Sequence, residues 1–367
     1  MASTLLLDSA NSLYDFVVRN GNGVKGLVES AGISQVPDRY IQPPQERINH
    51  VSTPQLNLPP IDLSKLHGPH HDQAVAEIAG AAHTLGFFQV VNHGVPLELL
   101  EALKSAAHKF FSMPPEEKKA AACRTNVKYG TSFAPEKEQA LEWKDYVSMS
   151  YTTDEDALQY WPSLCKGVAL EYLKLSTKMA REIVGILMEN LGAKVDEKKI
   201  EGLVGYKMVN MNYYPECPNP ELTVGVGRHS DMGTLTILLQ DEIGGLYVKL
   251  EQDIKCKYAS ASKGDWIEIP PIPGALVINI GDALQIMSNG RYRSGEHRVR
   301  AAREQSRVSV PVFTMPNPTE KIGPLPEVVE KDGKAGYREI VFQDYMNNFF
   351  TNAHEGKKSL DFAAIIM

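Results

Sequence analysis

Four cysteines, Cys123, Cys165, Cys217 and Cys256, are all that 367 residues carry, and they lie far apart with no paired spacing. That argues against a disulfide framework and a cysteine-built zinc site, and it fits a reducing compartment. No run of about 18 apolar residues occurs, so no transmembrane helix is expected. The run Leu5-Leu6-Leu7 meets Asp8 at once, too short for the apolar core of a secretion signal. Positive charge is in deficit: 38 Lys and Arg against 45 Asp and Glu leave −7. This speaks against a general nucleic-acid binder and offers no basic patch to a membrane surface. No internal repeat or low-complexity segment stands out. The expectation is a cytoplasmic monomer with neither nucleic acid nor membrane as partner. What remains, 43% apolar and 23% charged residues, is ordinary for a soluble globular chain with a large core.

The pattern of elements divides the chain. Residues 1–55 hold two short helical patterns and a Pro-rich stretch (Pro37, Pro43, Pro44, Pro54), expected to wrap the body. Residues 72–123 read as helix, strand, helix, helix: an Ala-rich amphipathic Asp72 to Leu85, a buried-type apolar run Phe87 to Val91, a helix from Pro96 to Phe111, and another opened by Pro114-Pro115. The longest helix runs from Lys166 to Leu191, its stripe of Leu170, Leu173, Met179, Ile183, Ile186, Leu187 and Leu191 read as core packing against a sheet. From Met208 to about Phe313 short strands follow one another: Val209–Tyr214, Leu235–Leu239, Leu246–Leu250, Trp266–Ile269, Leu276–Ile280 and Val308–Phe313. Gly244-Gly245, Pro273-Gly274 and Asn289-Gly290 mark turns between them. The fold expected is mainly β with flanking helices, a double-stranded β-helix (jelly roll) at its core. Three regions follow: a helical N-terminal region with a few strands (1–205), the jelly-roll core (206–318), and a C-terminal segment (319–367) whose helix from Tyr337 to Phe350 lies over the barrel mouth.

The chemistry is concentrated in His229-Ser230-Asp231, His297 and Arg307-Val308-Ser309. Side chains at i and i+2 of an extended segment point the same way, so His229 and Asp231 can face one metal while Ser230 faces away. A bare His-x-Asp arises by chance in a chain with ten histidines and 45 acidic residues, and His229 alone could be a surface loop histidine. The neighbours change the balance. His297, 68 residues on, sits at the start of an expected strand, and two imidazoles with one carboxylate form the ligand set of a non-haem Fe(II) site with open positions. Ten residues later, Arg307-Val-Ser-Val-Pro-Val-Phe313 alternates polar and apolar residues, so Arg307, Ser309 and Pro311 share a face. Arg and Ser there can grip a carboxylate, the Arg bidentately. Asn212 and Tyr214 also share one face of their strand. Trp143, Phe133 and Phe313 are candidate walls for a planar aromatic substrate. Asn92-His93-Gly94 is read as a turn rather than a second metal motif and Asp282 as a turn acid; Arg228 and Lys144 could meet a substrate anion but are read as solvated surface charges.

Nearly the whole chain resembles the plant 2-oxoglutarate- and Fe(II)-dependent dioxygenases. The resemblance is carried by Pro60-Ile-Asp-Leu63, Gly86-Phe-Phe-Gln-Val-Val-Asn-His-Gly-Val-Pro96, Asn212-Tyr-Tyr-Pro215, the His-x-Asp and His motif, Gly281-Asp282 and Arg307-x-Ser309. Within the family, Gly21 to Leu27, Lys128 to Phe133, Glu142 to Val147 and Gly225 to Met232 are similar to the coumarin branch, towards which Lys207 to Pro215, Phe342 to Phe350 and Lys358 to Phe362 also tilt. The resemblance implies that His229, Asp231 and His297 hold Fe(II) and carry catalysis. It implies that Arg307, Ser309, Asn212 and Tyr214 bind 2-oxoglutarate, and that O2 is co-substrate with ascorbate as supporting reductant. The implied activity is hydroxylation of a small aromatic substrate, scopoletin at C8 to give fraxetin, with succinate and CO2 as co-products. The alternatives are ortho-hydroxylation of feruloyl-CoA or coumaroyl-CoA, a related oxidase that dispenses with 2-oxoglutarate, and a non-catalytic binding protein on the same scaffold. One departure from the family is a polar insertion at 251–265, read as an exposed loop tolerant of change.

Overall fold

The computed structural model describes residues 10–48, 58–122, 124, 126–194, 196–256, 259–351 and 353–365. Pro54, Cys123 and two positions of the insertion, Lys257 and Tyr258, lie outside the described residues. The described strands are β1 (Ile61–Asp62), β2 (Phe87–Val91), β3 (Val127–Thr131), β4 (Asp145–Tyr151), β5 (Tyr206–Tyr214), β6 (Val226–His229), β7 (Leu235–Gln240), β8 (Leu246–Lys249), β9 (Ile254–Cys256), β10 (Ala259–Ala261), β11 (Trp266–Glu268), β12 (Leu276–Ile280), β13 (His297–Val299), β14 (Arg307–Met315), β15 (Lys321–Ile322) and β16 (Ile340–Val341). Two sheets build the core. The major sheet has the order β1-β2-β12-β7-β14-β5-β4-β3, and the minor sheet β11-β8-β13-β6. Tyr214, Val277 and Phe87 of the major sheet pack with Val226, Leu246, Val248 and Val299 of the minor sheet. The architecture is a jelly roll with flanking helices.

Alternation along the major strands sorts their side chains. On β5, β7 and β14 one set (Val209, Met211, Ile237, Leu239, Val308, Val310, Val312) is buried against helices. The other set, Asn212, Tyr214, Thr236, Leu238, Arg307 and Ser309 among it, lines the interior between the sheets. The helices on the outer face are α1 (Ala10–Tyr14), α2 (Gly23–Ala31), α3 (His71–Thr84), α4 (Leu97–Phe111), α5 (Pro115–Ala121), α6 (Asp154–Tyr160) and α7 (Lys166–Asn190), of which α3, α4 and α7 supply most of the core. Leu103, Ala107 and Phe110 of α4 and Leu173, Ala180, Ile183 and Leu187 of α7 are buried. Each large apolar side chain there contributes about 1.5–3 kcal/mol. Gly86 is required just before β2: its φ is +73°, and a Cβ would stand 1.9 Å from the carbonyl oxygen of Arg293.

The remaining helices are α8 (Glu197–Leu203), α9 (Asp282–Met287), α10 (Pro326–Asp332) and α11 (Phe342–Phe350). The C-terminal helix starts later than its pattern suggests, because Ile340–Val341 pairs with Lys321–Ile322 as a short ladder before α11 begins. Strands β3 and β4 extend the major sheet from a stretch that the sequence left unassigned. The insertion is more ordered than a bare loop. It carries the hairpin β9–β10, and its first residue, Glu251, accepts from Arg293 (2.9 Å) and Lys357.

Candidate active site

Cross-strand pairing explains how residues far apart in sequence converge. His297 of β13 lies directly opposite His229 of β6. Asp231 follows β6 by two residues. The three side chains offer ligand atoms that all lie within 4.8 Å of one another. The Nε2 atoms of His229 and His297 stand 3.6 and 3.8 Å from Asp231 Oδ1. Each imidazole is oriented alike: Nδ1 donates to the carbonyl two residues back, Gly227 at 2.8 Å and Gly295 at 3.0 Å. A carbonyl only accepts, so Nδ1 carries a proton, and in the neutral imidazole this tautomer leaves the lone pair on Nε2, towards Asp231. Burial, then the neighbouring His297 and His354, hold His229 well below the usual histidine pKa, so it stays neutral and able to ligate. The second oxygen of the carboxylate is occupied: Oδ2 of Asp231 accepts from Thr236 Oγ1 at 2.6 Å and Asn279 Nδ2 at 2.7 Å, leaving Oδ1 for an ion. Ser230 faces away as its position demands, donating to Asp282 at 3.1 Å.

The carboxylate clamp assembles by the same logic. Tyr214 pairs with Arg307 and Asn212 with Ser309 across β5 and β14, which brings all four side chains to one face. Arg307 is 1% exposed, its guanidinium 4.9 Å from the Tyr214 ring, with Nη2 donating to Gln240 Oε1 at 3.3 Å. Among the described residues its Nε and Nη1, and Gln240 Nε2, are buried without a partner. Three aimed, unsatisfied donors in a closed site call for an acceptor with two oxygens. Gln240, Thr236 and Asn279 were not singled out from the sequence. Their signal was available only as polar residues at inward positions of apolar strands.

Phe133 and Phe313 line the cavity, as expected for its walls. Trp143 does not, and this corrects the sequence reading. It is fully buried beneath the N-terminal helices, edge-on to Tyr40 at 5.0 Å, with its indole N–H donating to the Pro215 carbonyl at 3.1 Å. It precedes β4 and points into that separate core, while the next residue, Lys144, turns to the cavity. Lys144 was expected in solvent but is 7% exposed. Arg228 is half-buried between Glu46 and Glu296. Asp282 opens α9, fully buried, accepting from Tyr345 at 2.7 Å; burial raises its pKa to about 6. His93 closes a turn with its Nε2 on the Gly274 carbonyl at 2.9 Å, with Asn92 and Gly94 at positive φ.

The tail supplies residues that the sequence did not reveal. Phe349 and Phe350 of α11 and His354 beyond it line the cavity. His354 stacks on the His229 ring at 4.4 Å and on Phe133 at 4.1 Å, and its Nδ1 lies 2.7 Å from Glu142 Oε1. Gly356 donates to the Arg228 carbonyl at 2.8 Å, docking the tail beside β6.

Comparison with known proteins gives concordant results. The model of the 2OG-Fe(II) oxygenase superfamily matches residues 206–316, and that of the non-haem dioxygenase in morphine synthesis N-terminal region matches 58–166. Scopoletin 8-hydroxylase of Arabidopsis thaliana is 60% identical over 361 residues, covering 97% of this chain and 98% of the relative. Feruloyl CoA ortho-hydroxylase 1 of the same plant is 48% identical over 375 residues, all of both chains. The crystal structure of JOX2 in complex with 2OG, Fe and JA superposes with a TM-score of 0.80 at 34% identity, covering 94% of this chain and 97% of that one.

Proposed function

Since the chain belongs to the 2OG-Fe(II) oxygenase superfamily, we propose that its substrate is scopoletin, hydroxylated at C8 to give fraxetin. It is an Fe(II)- and 2-oxoglutarate-dependent hydroxylase that consumes O2 and acts on a small molecule, with ascorbate as a supporting reductant. The observation that carries the substrate is the 60% identity, end to end, to a scopoletin 8-hydroxylase, against 48% to a feruloyl CoA ortho-hydroxylase.

Each site residue has a proposed task. His229, Asp231 and His297 hold the iron, and their donor set suits it: two imidazole Nε2 atoms and one carboxylate oxygen, each group fixed by a hydrogen bond to its other atom. Arg307 and Ser309 receive the distal carboxylate of 2-oxoglutarate, whose two oxygens satisfy the orphaned guanidinium nitrogens. Asn212, Tyr214 and Gln240 complete that end. When bound, the iron with its keto-acid supplies the activation of O2. The protein positions the partners and excludes water. Phe133 and Phe313 take the faces of the aromatic ring. Residues 206–318 form the catalytic core, and the tail covers its mouth. No helix among the described residues is long and apolar enough to cross a membrane. A cytoplasmic monomer, engaging neither membrane nor nucleic acid, is the setting we propose, in keeping with the net charge of −7.

The test offers equal amounts of scopoletin and feruloyl-CoA to the iron-loaded protein with 2-oxoglutarate and ascorbate. Fraxetin is the expected first product. Consumption of feruloyl-CoA ahead of scopoletin would transfer the assignment to the thioester.

A further inference from the structure

One buried cation in the pocket has no task in the iron site or the carboxylate clamp. Lys144 is 7% exposed and lines both the inner cavity, beside the histidines and Asp231, and a larger outer chamber reached past Phe133 and Phe350. Its backbone is held where β4 begins, the carbonyl accepting from Thr131 Oγ1 at 2.7 Å. Among the described residues its ion-pair partner is Glu142, 3.1 Å away. That carboxylate is shared, its other oxygen accepting from the Gly227 N–H at 2.8 Å and contacting His354 at 2.7 Å. The ammonium lies 5.7 Å from the Tyr146 ring, and the Tyr214 hydroxyl and the Glu138 carboxyl also feel its charge. Burying an ammonium costs several kcal/mol, which the Glu142 carboxylate offsets, so Lys144 keeps its charge inside the cavity. Three N–H donors and one ion-pair partner leave donors for something in the cavity.

We infer that Lys144 receives the ionised phenol oxygen of the substrate and thereby turns the adjacent ring carbon towards the His229–Asp231–His297 centre. This rests on the coumarin reading above. In scopoletin the hydroxyl at C7 neighbours C8, the carbon to be hydroxylated. Conjugation to the lactone carbonyl makes that phenol acidic. The anion already present in solution binds, so no proton has to be transferred in the site. A cation beside this oxygen favours the ring orientation that presents C8 and disfavours one that presents the opposite edge. Lys144 thus determines substrate class, a free phenol rather than its ether, and the position of attack.

The test uses the full-length protein loaded with Mn(II) and 2-oxoglutarate, which binds without turnover, at a pH where free scopoletin is mostly protonated. Scopoletin is titrated in and its absorption recorded, the phenolate absorbing at longer wavelength than the phenol. The expected result is a phenolate spectrum for scopoletin on the wild type and on Lys144→Arg. On Lys144→Met the spectrum becomes that of the phenol and binding weakens tenfold or more, while the 2-oxoglutarate affinity holds. The O-methyl ether of scopoletin should bind wild type and Lys144→Met alike. Scopoletin bound to the wild type as the neutral phenol overturns the inference without recourse to any variant. So does a folded Lys144→Met with unchanged spectrum and affinity. A wild type that binds 2-oxoglutarate but neither binds nor hydroxylates scopoletin overturns the coumarin reading and the inference with it.

Discussion

Replacing Arg307 by Lys should weaken 2-oxoglutarate while leaving the aromatic substrate almost untouched. Arg307 is 1% exposed, and among the described residues only Nη2 of its three nitrogens has a partner, Gln240 at 3.3 Å. Nη2 carries a second N–H, which with the free N–H of a neighbouring nitrogen gives a planar edge that can meet both oxygens of a carboxylate at once. A hydrogen bond to a charged group is worth about 1.5–3 kcal/mol. Lys keeps the charge but offers a point donor where a fork is needed. One of the two bonds is therefore lost, and with it about 1.5–3 kcal/mol, or about 10- to 150-fold in affinity. Retaining the positive charge matters for the comparison, because Asp241 lies close by and feels the Arg307 charge. The variant should therefore fold. Succinate release is measured against 2-oxoglutarate concentration at saturating scopoletin, together with equilibrium binding of 2-oxoglutarate to the Mn(II)-loaded protein. Both should shift by the same factor, with the scopoletin KM changing less than about threefold. Unchanged 2-oxoglutarate affinity, or an effect confined to scopoletin, would place Arg307 in the other pocket.

Alanine at His229, Asp231 or His297 should abolish turnover and iron retention while thermal unfolding stays cooperative; a variant that keeps near-normal activity at limiting iron would break the assignment. Asn279→Ala or Thr236→Val frees Asp231 Oδ2 and should cost about 10–100-fold in iron affinity, read by competition with a chelator, with 2-oxoglutarate binding to the loaded protein preserved. Burial raises Asp282 from the ordinary 3.8 to about 6, so the fold holds its proton more tightly than the unfolded chain does. Its contribution is fully present below about pH 4 and is lost as pH rises through about 6. The gap corresponds to about 3 kcal/mol at most. Urea midpoints of the wild type relative to Asp282→Asn should fall across that window, and a flat difference would show that burial does not act on this carboxyl. Deleting 253–262 should leave iron binding and hydroxylation largely intact. The cut removes the hairpin but spares Glu251, which ties Arg293 and Lys357 together; loss of activity in a folded deletion would assign the hairpin to the site.

The elements read well from sequence are those in which local pattern and burial agree. Phe87–Val91 and Leu276–Ile280 match their observed strands residue for residue, because each is apolar but for one residue, Gln89 or Asn279, and lies inside the major sheet with a neighbour on either side. The helix from Lys166 falls one residue short of its expected end. Strands β3 and β4 escaped because their inward face is polar: Tyr146, Ser148 and Ser150 line the outer chamber, so apolar periodicity is weak there. Trp143 was placed in the pocket on composition alone, where an aromatic residue is as much at home in a core as against a ligand. Lys144 was placed in solvent because a lone Lys usually stands there.

What the sequence determined by itself is the chemistry and its spacing. A His-x-Asp on extended backbone, a distant His and an Arg-x-Ser face specify a metal and a carboxylate without any contact map, since strand periodicity alone orients them. The tertiary structure decided everything that depends on residues meeting across sheets or from the tail. Strand pairing set His297 opposite His229 and Tyr214 opposite Arg307. Docking of the tail beside β6 carried His354 onto the His229 ring, some 125 positions away in sequence. The closing of the two sheets turned Lys144 from a solvated charge into a buried one. Such encounters are fixed by register and by which chain segment covers the barrel mouth, and neither is encoded in the short-range pattern of any one segment.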